Sequence, residues 1–246
     1  MIKPNICVLK TDGTNCDEET SYAFSKAGGK CRIVHLNQLR SDNDELANYQ
    51  IIAIPGGFSY GDDIVSGKIL ALELTSFLKD QLQEFVAAGK LIIGICNGFQ
   101  VLVRAGLLPF GDIGNMQVTL AHNSSGHFEC RWVELWVKDN CVFTKGIYYA
   151  ALQVAHGEGR FYAEKNVLAK IESQKLVAVR YCSGHNPNGS LWDIAGICDP
   201  TGRIFGLMPH PERFVELTQH PNWRELPNDV EPRGLKIFKN AVNFFK

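Results

Sequence analysis

Apolar residues fall in short unbroken runs in the first hundred residues and in looser runs after them. Ile6–Leu9, Cys31–His35, Tyr49–Ile54 and Leu91–Ile95 are compact runs separated by polar turns and helical spacing. Strands without polar alternation are buried on both faces, as in a parallel sheet covered by helices. Asp17 reads as the cap of a helix that passes through Tyr22, Ala23 and Phe24 and stops at Gly28-Gly29. Lys68 to Ala88 reads as one long helix whose stripe of Leu70, Leu72, Leu74, Phe77, Leu78, Leu82, Phe85 and Val86 faces the core. The rhythm predicts an α/β fold with a doubly wound, mostly parallel sheet.

Past Gly106 the texture changes. Val118–Leu120, Phe128–Val137, Ala151–Ala155, Val177–Cys182, Ile194–Cys198 and Ile204–Met208 read as short strands joined by turns such as Asn186-Pro187-Asn188-Gly189 and Asp199-Pro200-Thr201-Gly202. No low-complexity linker separates the halves, so residues 1–246 are expected to form a single domain whose second half extends the sheet in antiparallel fashion. Residues 234–245 are amphipathic and predict a final helix.

Composition narrows the partners. A net charge of −1 gives no broad basic surface for nucleic acid or anionic membrane. No apolar run reaches membrane-spanning length, and the start of the chain lacks a signal-peptide core. A cytoplasmic location is therefore expected. The eight cysteines include no C-x-x-C pair and read mainly as buried small hydrophobes. Cys96 is the exception.

Cys96 sits in Gly94-Ile95-Cys96-Asn97-Gly98, the cysteine form of a nucleophile elbow, where a strand turns sharply into a helix. The glycines allow strand and helix to approach closely. A sulfur at a helix N-terminus is stabilised as thiolate, and nearby N–H groups, Asn97's above all, suit an oxyanion. The loop Pro55-Gly56-Gly57-Phe58-Ser59-Tyr60-Gly61-Asp62 leaves another strand end and offers a second N–H donor. Gly67-Lys68 is not a P-loop: Gly61 lies one residue too far upstream and Ile69 stands where Ser or Thr is required. No dinucleotide-binding glycine pattern follows a strand.

A nucleophilic cysteine needs a base, and the base an orienting group. His156 and His210 stand out by context. In Met208-Pro209-His210-Pro211-Glu212-Arg213, residues 210 and 212 point to one side of an extended segment, so Glu212 can hold one ring nitrogen while the other meets Cys96. A zinc site from Cys96, His210 and Glu212 lacks the usual ligand spacing, and no metal is expected.

Together, Gly-Ile-Cys-Asn-Gly-Phe-Gln, Pro-Gly-Gly-Phe-Ser-Tyr-Gly-Asp and Met-Pro-His-Pro-Glu-Arg resemble the class-I (triad) glutamine amidotransferases. Phe128–Trp132, Ala155–Phe161 and Asn186–Ser190 point further, to the branch of glutaminase subunits of phosphoribosylformylglycinamidine (FGAM) synthase. The resemblance covers nearly the whole chain. It implies a flavodoxin-like fold and a triad of Cys96, His210 and Glu212. It also implies an oxyanion hole from Gly57 and Asn97, and substrate contacts from Gln100, His156, Gly157 and Glu158. It implies hydrolysis of glutamine through a cysteine thioester, with ammonia passed to a synthetase subunit that makes FGAM for purine biosynthesis. ATP and magnesium are then expected on the synthetase and no cofactor on this chain. A small bridging subunit is a further expected partner, and partner binding is expected to order the Gly57 loop. One departure is that Asp63–Gly67 lacks the positive charge such a loop is expected to carry. Two other readings stay open: a stand-alone γ-glutamyl hydrolase or cysteine peptidase of the same fold, and a redox or stress-response protein with an exposed cysteine.

Overall fold

A computed structural model describes residues 3–41, 45–62, 67–227 and 230–246. The first three apolar runs become β1 (Asn5–Lys10), β2 (Lys30–His35) and β3 (Ile51–Ile54), and the elbow strand becomes β4 (Leu91–Ile95). Helix α1 (Asp17–Lys26) joins β1 to β2, and α2 (Leu36–Ser41) follows β2. Next come α3 (Lys68–Phe77) and α4 (Lys79–Ala87), then α5 (Asn97–Arg104) directly after β4. The second half supplies β5 (Val118–His122), β6 (Glu129–Val137), β7 (Tyr149–His156), β8 (Glu158–Ala163), α6 (Lys165–Ser173), β9 (Val177–Tyr181), β10 (Ile194–Cys198), β11 (Ile204–Leu207) and α7 (Arg233–Asn243).

Nine strands form one sheet in the order β2-β1-β3-β4-β11-β10-β9-β6-β7, and β5 pairs with β8 separately. β1, β2, β3, β4 and β11 run parallel, and β10, β9, β6 and β7 continue antiparallel. The expected mixed α/β architecture is therefore present. Its direction of winding reverses at β1. The chain moves outward from β1 to β2, then crosses back to β3 and β4. Right-handed crossovers put α1 on one face and α3 to α5 on the other. The carboxyl ends of β1 and β3 consequently diverge, which is where ligands bind in open α/β sheets.

The long helix expected over Lys68–Ala88 is two helices. Leu78 breaks it with φ −121° and ψ 15°. The break lets Leu74, Leu78, Leu82 and Phe85 all reach the core, whereas Leu72 and Phe77 of the expected stripe are exposed. Phe77 instead carries the Arg40 guanidinium at 3.9 Å from its ring centre. Asp17 does not cap α1. Its carboxylate accepts a 2.6 Å hydrogen bond from Lys10 Nζ. Helices α2 and α6 and strand β8 are not among the elements the apolar pattern predicts. β8 alternates buried and half-exposed residues behind the tight turn at Gly157.

Candidate active site

The elbow forms as its glycines require. An added Cβ on Gly98 would lie 1.9 Å from the Ile54 carbonyl oxygen, and one on Gly94 would lie 2.4 Å from that of Gly98. Strand and helix can touch only without side chains at these positions. Cys96 takes φ 50° and ψ −104°, in the left-handed half of backbone space that non-glycine residues avoid. Holding it there costs about 1–3 kcal/mol. The surrounding sheet resists relaxation, since Cys96 N donates to the Leu207 carbonyl of β11 at 2.8 Å. The side chain is thereby turned out of the strand toward a cavity of about 550 Å³.

His210 follows β11 and is anchored to β7, its N–H bonding the Gln153 carbonyl at 2.8 Å. Its Nδ1 lies 2.5 Å from Glu212 Oε1. Both side chains are buried, and Nε2 and Glu212 Oε2 have no hydrogen-bond partner among the described residues. The Cβ position of Gly56 is 2.8 Å from His210 Cε1 and 3.4 Å from Cys96 Cβ. Ring and nucleophile thus face one another across that glycine. Burial disfavours the imidazolium. The Glu212 carboxylate, followed by Cys96 and Cys16, outweighs burial and raises the His210 pKa well above its ordinary value.

Gly57, at φ 124°, stands beside Asn15, whose backbone nitrogen and Oδ1 both lie 2.7 Å from where a Cβ would be. The loop after it is tied to the turn after β1, with Phe58 N on Gly13 O at 3.2 Å and Tyr60 N on Asp12 O at 2.7 Å. Residues 63–66, within the stretch that lacks the expected positive charge, lie outside the described residues.

Asn97 begins α5 beside the sulfur. Its side chain joins a string of hydrogen bonds: Ser59 Oγ to Asn97 Oδ1 at 2.7 Å, Asn97 Nδ2 to Gln100 Oε1 at 3.1 Å, and Gln100 Nε2 to the Glu158 carbonyl at 2.5 Å. Gln100 lines the cavity, but both ends of its amide are engaged within the protein. Gly157 and Glu158 line the same cavity. The Glu158 carboxylate stands 3.6 Å from His122 Nδ1.

His156 is buried in the cavity wall. Asn123 fixes it: Nδ2 of that amide donates to the His127 and His156 carbonyls, and Oδ1 receives the Gly159 N–H and faces His156 Nδ1 at 3.1 Å. The amide orientation puts the ring proton on Nδ1 and leaves a lone pair on the buried, unpartnered Nε2. Burial first, then the charge of His210, pushes the His156 pKa down to about 4.

The cavity also includes Asn15, Cys16, His122, Phe128 and Arg213, none of which the sequence pattern predicts there. Cys16 was read as a small buried hydrophobe. It is buried, yet its sulfur receives Arg213 Nη2 at 3.4 Å and stands beside the triad. Residues 11–16 leave the carboxyl end of β1, at the point where the winding reverses, a position that shows only once the strand order is known.

A model of the CobB/CobQ-like glutamine amidotransferase domain matches residues 3–245. The chain belongs to the glutamine amidotransferases. This amidotransferase is 48% identical over 251 residues to phosphoribosylformylglycinamidine synthase subunit PurQ of Dehalococcoides mccartyi, covering 99% of this chain and 98% of that one. It is 44% identical over 265 residues to the PurQ subunit of Methanococcus maripaludis strain C5, covering 98% of both. In the structure of PurLQS from Thermotoga maritima, one chain is 34% identical and superimposes with a TM-score of 0.77 over the full length of both. A Thermoplasma acidophilum chain at 14% identity and TM-score 0.62 shares the amidotransferase fold. Among the described residues no helix is long and apolar enough to cross a membrane.

Proposed function

We propose that this amidotransferase is the glutaminase subunit of an FGAM synthase, with Cys96, His210 and Glu212 as its catalytic residues. The Cys96 sulfur attacks the carboxamide carbon of glutamine. Negative charge moves onto the amide oxygen, toward the N–H groups of Gly57 and Asn97. His210 gives its proton to the departing nitrogen, and ammonia leaves a γ-glutamyl thioester on the sulfur. The imidazole then takes a proton from water, which attacks the thioester and releases glutamate. Glu212 keeps Nδ1 protonated and steadies the imidazolium between the two steps. Gly157, Glu158 and His156 form the wall that meets the amino-acid end of glutamine. Gln100 acts on that wall indirectly, by holding the Glu158 carbonyl.

Ammonia passes to a synthetase subunit that binds ATP and magnesium, with a small bridging subunit in the assembly. The cysteine-protein readings are less well supported: a sensor has no use for a buried imidazole locked to a carboxylate, and near-full-length identity to PurQ subunits disfavours a stand-alone hydrolase. The carrying observation is the His210–Glu212 pair facing Cys96 across Gly56. In the assembled complex, Cys96→Ala should abolish glutamine-dependent FGAM formation and leave ammonia-dependent formation intact. Loss of both activities, or survival of the first, would overturn the assignment.

A further inference from the structure

Two neighbouring strands deliver the two oxyanion donors in step. β3 and β4 pair in parallel with Ile54 level with Gly94, and Gly57 and Asn97 each lie three residues further on. The paired register stops at Ile54 and Gly94. Past it, one chain turns sharply at Cys96 into α5 and the other passes through Gly57 at φ 124°. The N–H groups of Phe58 and Tyr60 tie that second chain to the turn after β1 and not to α5. A side chain makes the link to α5. Ser59, two residues past Gly57, places its Oγ 2.7 Å from Asn97 Oδ1, and both residues are buried. The direction of this bond is fixed from the far end of the string. The Glu158 carbonyl can only accept, so Gln100 turns Nε2 toward it and Oε1 toward Asn97. Asn97 then turns Nδ2 toward Gln100 and Oδ1 toward Ser59. The hydroxyl therefore donates, and the amide oxygen it meets has no freedom to flip.

We propose that Ser59 is a positioning residue of the oxyanion hole, its hydroxyl setting the spacing between the N–H groups of Gly57 and Asn97. This rests on the reading of Cys96, His210 and Glu212 as an amide-cleaving triad. Oxyanion donors act at about 2.7–3.1 Å from the developing charge. A displacement of about 1 Å in such a site costs on the order of 10²-fold in rate. Without the hydroxyl, Asn97 Oδ1 loses a buried partner and the loop carrying Gly57 loses its tie to the first turn of α5. The carbonyl oxygen of bound glutamine carries little charge before the sulfur attacks. A displaced donor therefore weakens the transition state more than the bound substrate, and the loss falls on kcat rather than on KM.

The test uses the assembled complex, with the assembly of each variant checked by gel filtration. Ser59→Ala should lower kcat for glutamine about 10- to 100-fold and leave KM unchanged. Two reactions at the Cys96 sulfur separate donor spacing from general damage. A γ-aldehyde analogue of glutamine forms a sulfur–carbon bond as its carbonyl oxygen takes the negative charge and then the thiol proton, so its affinity should fall in step with kcat. Iodoacetamide alkylates the same sulfur at a saturated carbon, with iodide leaving and no oxyanion formed, so its rate should not change. Asn97→Ala removes the acceptor and keeps the backbone N–H; it should reproduce the kcat loss, and adding Ser59→Ala to it should lower kcat no further. An unchanged kcat in Ser59→Ala, a loss carried by KM alone, equal slowing of aldehyde binding and alkylation, or additive losses in the double variant would overturn the proposal. Aldehyde binding that survives Cys96→Ala would instead overturn the triad reading beneath it.

Discussion

Two imidazoles stand in the walls of one cavity under nearly the same burial, and one is cationic while the other is neutral. His210 is 1% exposed and His156 3% exposed. Each has Nδ1 occupied and Nε2 unpartnered. His210 faces a carboxylate and its pKa is raised; His156 faces an amide and its pKa falls to about 4. The partner's charge therefore sets the protonation state, and burial alone would neutralise both rings. The cationic ring stands where a leaving group needs a proton. The neutral ring forms wall without adding a competing charge.

Exchanging the partners should exchange the behaviours. The largest effect is expected from Glu212→Gln. With the carboxylate gone, burial prevails, the His210 pKa drops, and glutamine-dependent turnover falls roughly 10³- to 10⁴-fold by analogy with other triads. An NMR titration of the imidazole Cε1 proton with parallel kinetics checks this; a His210 pKa that stays high would break the comparison. The reciprocal change, Asn123→Asp, should lift the His156 pKa from about 4 to above its ordinary value. It also forfeits the donations to the His127 and His156 carbonyls, for a loss of about 2 kcal/mol in urea unfolding.

A third effect, confined to stability, is its dependence on pH. An unfolded histidine binds its proton near pH 6.5, whereas folded His156 binds it near pH 4. Between those values the unfolded chain holds the extra proton, so His156 costs stability progressively as pH falls from about 6.5 to 4. The total is about 3 kcal/mol. His210, whose folded pKa is raised, has the opposite sign: its contribution is complete below pH 6.5 and fades as pH rises toward its folded value. His156→Gln should flatten the acid side of the urea-stability profile; an unchanged slope between pH 4 and 6.5 would mean that His156 is already charged in the fold.

How far the sequence could be read follows from the range of the forces involved. Elements set by local pattern were legible: the buried strands, the elbow with its two glycines, and His210 and Glu212 on one side of an extended segment. The break at Leu78 was not, because it is imposed by packing of the second helical segment and leaves no proline or glycine behind. Cys16 and Arg213 were missed for a related reason. They are far apart along the chain, and their meeting depends on where the sheet reverses its winding. Asn123 carries no local signature either; its role exists only once β5 and β8 are paired around it. Gln100 was legible as a cavity residue, but the two internal bonds that occupy its amide were not.

The hydrogen-bond string from Ser59 through Asn97 and Gln100 to Glu158 runs without a gap, and its last two members line the cavity. One end belongs to the loop carrying Gly57, the other to the strand that closes the far wall. The loop carrying Gly57 and the rim carrying Glu158 are thus joined through two side-chain amides in series.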